Sequence, residues 1–273
     1  MEFGVIIQLG DHTEQKLAQL CEMGFHACQL CCWNPDLYTE QMAEKVKIWL
    51  NKYGIRISTL WCGWSGPAVW NFYEGQLTLG LVPEQYRAQR EQELIQGSDF
   101  GALLGVEQIA THVGFLPEDP NSPTYADVVE VLRRIVAHCK RNGQYFLFET
   151  GQETPTTLLR TIQDIGLDNL GINLDPANLI LYGKANPVDA LDTIGKYVRD
   201  VHAKDGRYPT DGRMLGNETP LGRGMVNYPA LIRRLKSLGY DGPVTIEREI
   251  SGEKQIEDIL MAKALLERLD ADE

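Results

Sequence analysis

Apolar residues along this chain follow two alternating patterns. Short, nearly continuous apolar or β-branched runs occupy roughly 2–9, 25–32, 55–61, 106–113, 144–149, 169–175, 197–203 and 243–248, as expected of parallel strands buried on both faces. Between them, apolar residues recur at helical spacing: Leu17, Leu20 and Cys21; Val46, Trp49, Leu50 and Tyr53; Leu158, Leu159, Ile162 and Ile165; Leu231, Leu235 and Leu238. Helix starts are signalled by Asp11 three before Glu14, by Thr39, and by Thr154 ahead of Pro155. Helix ends are signalled by Gly24, Gly54, Gly105, Gly143, Gly166, Gly195 and Gly239, each placed to cap a helix in the left-handed region before the next strand.

Eight strand-helix units in 273 residues match the usual length of a (β/α)8 TIM barrel, here a single domain over 1–273 with its active site at the carboxyl ends of the strands. A doubly wound open sheet has the same alternation. The first strand, however, runs into Gln8-Leu9-Gly10-Asp11 instead of a glycine-rich dinucleotide fingerprint, so closure is the expectation.

Composition narrows the partners. With 43% hydrophobic residues, the chain can bury a large core, and no run approaches eighteen consecutive apolar residues. The amino terminus opens directly on strand-like EFGVIIQL with no basic stretch before it, so a cytoplasmic location is expected. A formal charge of −12 disfavours nucleic acid and anionic membranes. The expected partner is a small molecule, with homo-oligomerisation left open. Six cysteines include the run Cys28-x-x-Cys31-Cys32. In a strand, 28 and 32 face one side and 31 the other, so ordinary buried thiols are expected over zinc ligands.

The candidate chemistry sits at four consecutive strand ends: Glu149 in YFLFET, Asp175 in LGINLD, His202 in VRDVHAKD and Glu247 in PVTIERE. A buried carboxylate needs a cation or a hydrogen-bond network. An ion pair with Lys204 or Arg248 would satisfy the glutamates, and a helix cap would satisfy Asp175. Three carboxylates and one imidazole converging on one point would instead hold a divalent ion, with the oxygen-rich set favouring Mn2+ or Mg2+ over Co2+ or Zn2+. His112 ends the fourth strand and could contact a substrate, whereas His12, His26 and His138 lie away from that face.

Two longer connections, about 62–83 and 205–226, also fall on the carboxyl face and read as lids or substrate loops. Trp61, Trp64 and Trp70 could stack on a sugar or simply pack a core. Lys204, Arg207, Arg213 and Arg223, with the Gly222 and Gly224 backbone, could hold a phosphate or could be solvated loop charges.

Taken together, FETGQETP, NLDPANL, VHAKDGR, PLGRG and TIERE resemble the xylose-isomerase-like barrel superfamily, in its branch of sugar phosphate isomerases and epimerases. The similarity covers strands five to eight, about half the chain. It implies that Glu149, Asp175, His202 and Glu247 are the metal ligands, that both glutamates handle protons, and that Arg207 contacts a substrate oxygen. Ketose 3-epimerases of that branch carry a histidine three residues after the aspartate, where this chain has Asn178. The activity implied is a metal-dependent isomerase or epimerase of a small sugar, keto-sugar or sugar phosphate. The alternatives are a keto-sugar lyase or dehydratase on the same site and a noncatalytic sugar-binding protein. A phosphodiesterase of the same superfamily is disfavoured by the acidity and by a total of five histidines.

Overall fold

The computed structural model describes residues 1–271. Eight parallel strands close into a barrel: β1 (Glu2–Gln8), β2 (Ala27–Cys32), β3 (Arg56–Cys62), β4 (Gln108–Thr111), β5 (Tyr145–Glu149), β6 (Leu170–Leu174), β7 (Val198–Ala203) and β10 (Pro243–Ile246). The seam is the pairing of β1 with β10, from Glu2 opposite Pro243 to Val5 opposite Ile246. That pairing excludes the open sheet. β8 (Asp205–Arg207) and β9 (Asn217–Thr219) form a separate antiparallel hairpin inside the connection that follows β7.

Helices packed around the barrel include α1 (Thr13–Glu22), α2 (Glu40–Tyr53), α4 (Glu84–Leu104), α5 (Pro123–Arg141), α6 (Pro155–Ile165), α9 (Tyr228–Ser237) and α10 (Glu253–Ala271). The short α3 (Gly75–Thr78) sits in the connection after β3, and two short helices, α7 (Pro176–Leu181) and α8 (Pro187–Ile194), join β6 to β7. No helix among the described residues is long and apolar enough to cross a membrane.

The capping logic holds at most junctions. Thr39 accepts from Met42 N at 3.1 Å and Thr154 from Thr157 N at 3.3 Å. Six of the seven predicted cap glycines have positive φ. Gly195 does not: its φ is −57° and it runs straight into a 3-10 turn. There a Cβ would fall 2.5 Å from Leu238 Cδ1, so packing and not backbone handedness requires glycine. Asp11 makes no cap, because α1 starts later and Thr13 Oγ1 takes the turn, accepting from Gly10 N at 2.8 Å.

The inner face of the barrel is polar in its middle. Asp200 on β7 is fully buried and accepts from Gln29 Nε2 (3.2 Å), Ser58 Oγ (3.0 Å), Thr59 Oγ1 (2.7 Å) and Thr245 Oγ1 (3.2 Å). Four strands are thereby tied to one carboxylate directly beneath the site, and burial pushes its pKa up despite those donors.

Candidate metal centre

Each predicted ligand reaches the same point from a different strand end. Glu149 is the last residue of β5, Asp175 follows β6 and caps α7 by accepting from Asn178 N at 2.8 Å, His202 lies on β7, and Glu247 follows β10. One donor atom from each falls within 4.8 Å of all the others. Around His202 Nδ1, Glu247 Oε2 lies at 3.0 Å, Glu149 Oε1 at 3.1 Å and Asp175 Oδ2 at 3.9 Å.

The far side of the imidazole is fixed. His202 Nε2 is held between Gln29 Oε1 at 2.7 Å and Asn173 Nδ2 at 2.8 Å, which turns Nδ1 toward the carboxylates. Burial opposes a charged imidazole here, but Glu149 and Glu247 outweigh it and hold the His202 pKa well above its usual range. Three buried atoms at this point, Asp175 Oδ2, His202 Nδ1 and Glu247 Oε2, have no hydrogen-bond partner. Unpartnered buried oxygens are costly, and three carboxylates with one imidazole suit a hard divalent cation. The residues therefore fit a metal ion at this position.

Around the ligands the wall is specific. The Trp61 indole donates to Glu149 Oε2, while Asn178 Nδ2 (3.4 Å) and His112 Nε2 (3.3 Å) approach Oε1. Burial alone would raise the Glu149 pKa, but His112 and His202 outweigh it and hold the carboxyl well below its usual range. Lys204 Nζ lies 2.6 Å from Glu249 Oε1, 3.5 Å from Glu247 Oε2 and 3.6 Å from Asp175 Oδ2. Burial disfavours its charge, yet Glu247, Glu249 and Asp175 keep its pKa well above normal. These groups open into a cavity of about 360 Å3 whose walls also include Gln8, Trp33, Trp70 and Tyr182.

A family model described as a xylose isomerase-like TIM barrel matches residues 17–269. The chain belongs to that family. A solved xylose isomerase domain protein from Planctomyces limnophilus is 35% identical, with a TM-score of 0.89 over 98% of this chain and 95% of that one. A D-tagatose 3-epimerase-like protein superposes with a TM-score of 0.76 over 100% of this chain and 99% of that one at 22% identity, which speaks to the fold alone. The uncharacterized protein MJ1311 of Methanocaldococcus jannaschii is 26% identical, covering 97% of this chain and 88% of its own.

In this xylose isomerase-like barrel, Trp61, His112 and Lys204 line the cavity with Glu149, His202 and Glu247, and Lys204 also reaches Asp175. Arg207 does not join them: it is exposed, and its guanidinium donates to the Arg223 carbonyl at 2.9 Å. Arg213 and Arg223 also stay outside the cavity lining. The amides of Gly222 and Gly224, for which a phosphate cradle is one of two readings, both donate to Asp205 Oδ2 at 2.9 Å, while Asp205 Oδ1 accepts from Gly206 N at 2.8 Å and Val226 N at 3.0 Å. Gly224 must be glycine there, since a Cβ would fall 2.1 Å from Asp205 Oδ1.

Sequence reasoning passed over Trp33, Tyr182, Glu249 and the barrel-floor Asp200. Glu249 and Asp200 each sit two residues from a predicted ligand, at the alternation that brings side chains to one face of a strand. That spacing was a usable signal.

Proposed function

We propose that this protein is a divalent-metal-dependent isomerase or epimerase of a small sugar or keto-sugar. The observation that carries the reading is the convergence of three unpartnered buried donors, Asp175 Oδ2, His202 Nδ1 and Glu247 Oε2, with Glu149 at the floor of a small cavity. Asp175, His202 and the two glutamates would hold the cation. When bound, it supplies positive charge to a carbonyl and an adjacent hydroxyl oxygen as the neighbouring carbon loses its proton.

The two glutamates divide the proton work. Glu247 Oε2 is not engaged by any hydrogen bond, so it is available to take the proton from carbon. Glu149 is oriented by Trp61, Asn178 and His112, which hold its carboxylate in place. Glu149 starts as a carboxylate, so the proton it delivers would come from solvent or from His112, whose Nε2 lies 3.3 Å from Oε1, while Glu247 gives up to solvent the proton it took. Delivery to the opposite face of the same carbon would invert it, and delivery to the neighbouring carbon would exchange aldose and ketose. A β-elimination is the second reading, favoured by the Lys204 ammonium 3.5 Å from Glu247, where it can hand a proton to a departing hydroxyl. The epimerase-like name of one structural neighbour supports the sugar class.

The test is a sugar panel in D2O with Mn2+, followed by NMR, using wild type and the Glu149→Gln and Glu247→Gln proteins after metal content is confirmed. Wild type should incorporate deuterium at carbon, and each variant should lose about 10²–10⁴-fold in rate. Wild-type exchange rates in both metal-loaded variants would refute the acid-base assignment. Loss of water with a new conjugated carbonyl absorbance would move the assignment to the lyase.

A further inference from the structure

The cavity above the ligands has a wall that the proton chemistry does not use, and it bears on which sugar can enter. We infer that the site is built for a neutral, unphosphorylated sugar, whose apolar C–H face lies on Trp33, making Trp33 a specificity-determining residue. The inference rests on the reading above for the position of the reacting carbon.

The first argument is electrostatic. Among the described residues lining the cavity, Lys204 is the only one with a fixed positive charge. Its ammonium is already surrounded by Glu249, Glu247 and Asp175 and by Asn178 Oδ1 at 3.4 Å. The arginines of the 205–226 connection turn elsewhere, and the paired glycine amides of that connection are engaged by Asp205. A phosphate entering this space would meet the carboxylates of Glu149, Glu247 and Glu249 with no unpaired donor cluster to receive it. Phosphate recognition ordinarily uses arginine forks or amide nests, and neither faces the cavity.

The second argument is the construction of the aromatic wall. Trp33 follows β2 and is seated against Gly63, where a Cβ would fall 2.5 Å from Trp33 Cε3 and 2.7 Å from Cδ2. Both are ring atoms that cannot swing aside locally, so glycine at 63 is what lets the indole sit there. Trp33 then meets Trp61 at 4.9 Å between centroids, and Trp64 and Trp70 edge-on at 5.3 and 6.3 Å. Trp33 and Trp70 both line the cavity and keep 36% and 39% of their surface exposed. A fixed, partly exposed indole lining the cavity is suited to the C–H face of a sugar, and a volume near 360 Å3 falls at the low end of small-molecule pockets, about 300–1,000 Å3.

The experiment is calorimetric binding to Mn2+-loaded protein of matched pairs, D-fructose with D-fructose 6-phosphate and D-xylulose with D-xylulose 5-phosphate. The neutral member of each pair should bind at least about tenfold more tightly. Trp33→Ala should weaken the neutral sugars by about three- to tenfold, in the range of an aromatic contact, and Trp33→Phe should restore part of the loss. Gly63→Ala should mimic Trp33→Ala while leaving metal content unchanged. Tighter binding of either phosphorylated sugar, unchanged affinity in Trp33→Ala, or no neutral sugar bound by metal-loaded protein overturns the inference. Metal content is measured on the same samples: a protein that binds the neutral sugars through Trp33 without any metal keeps this inference and loses the reading above.

Discussion

Replacing Glu153 by glutamine should make the protein progressively more stable relative to wild type as pH rises toward about 7. Glu153 lies in the loop after β5, buried to 3% exposure, and its Oε1 has no hydrogen-bond partner. Burial is the main reason its pKa rises from 4.5 to about 7, opposed by a backbone hydrogen bond and by His112 and Lys184. A carboxyl whose folded pKa is raised contributes most favourably when protonated. Its contribution is intact below the unfolded value near 4.5 and is lost as pH climbs through about 7, because the folded state must then carry an unpaired buried charge. The span between those two values corresponds to about 3 kcal/mol as an upper limit. Glutamine keeps the shape and never ionises. Any misfit of its amide would be the same at every pH, so it cancels from the pH trend. Urea denaturation of wild type and Glu153→Gln at pH 5, 6, 7 and 8, at fixed metal concentration, isolates the effect as the difference between the two proteins. The variant should gain about 1–3 kcal/mol relative to wild type between pH 5 and pH 8. A difference that stays flat across that range, or that moves against the variant as pH rises, would refute the burial argument.

Removing the Asp205 carboxylate with Asp205→Ala leaves four backbone amides without their acceptor. We expect a loss of about 4 kcal/mol or more in urea melts and new protease cleavage between 205 and 226, and a loss under about 1 kcal/mol would contradict it. Mn2+ at a hundred times its dissociation constant should stabilise wild type by about 2.7 kcal/mol, raising Tm by roughly 5–10 °C in a chain of this size. Asp175→Ala and His202→Ala should lose that rise together with bound metal, and an undiminished rise in both would place the cation elsewhere.

The strand ends were legible because two signals coincide at each of them: a short apolar run and an abrupt polar residue at its finish. Glu149 after YFLF and Glu247 after PVTI show this most plainly. Asp175 was readable both as a ligand and as a cap, and the structure gives the cap to Oδ1, on the Asn178 amide, while Oδ2 turns toward His202. Trp33 was not legible, because its partners stand 28 to 37 positions away and only the pairing of β2 with β3 brings them together. Asp205 hid for a related reason. Its four donors are spread from 206 to 226, and only the folded turn aims them at one side chain. Arg207 was read from the family resemblance, and the β8–β9 hairpin leaves it exposed with its guanidinium on the Arg223 carbonyl.

The two long connections touch above the cavity at one main-chain contact, Phe72 N–H donating to the Arg213 carbonyl at 3.1 Å. A single such bond is worth about 0.5–1.5 kcal/mol net, so a closed entrance secured by it would outnumber an open one by only about two to thirteen to one. Traffic of a small solute through that doorway then needs no large activation, and the latch imposes almost no toll on turnover. Both of its halves are backbone atoms. The Phe72 side chain can therefore drift through mutation while that bond persists, whereas Arg213 also lays its guanidinium over the Tyr73 ring, 5.3 Å from the centroid, and adds a side-chain fastening to the same gate.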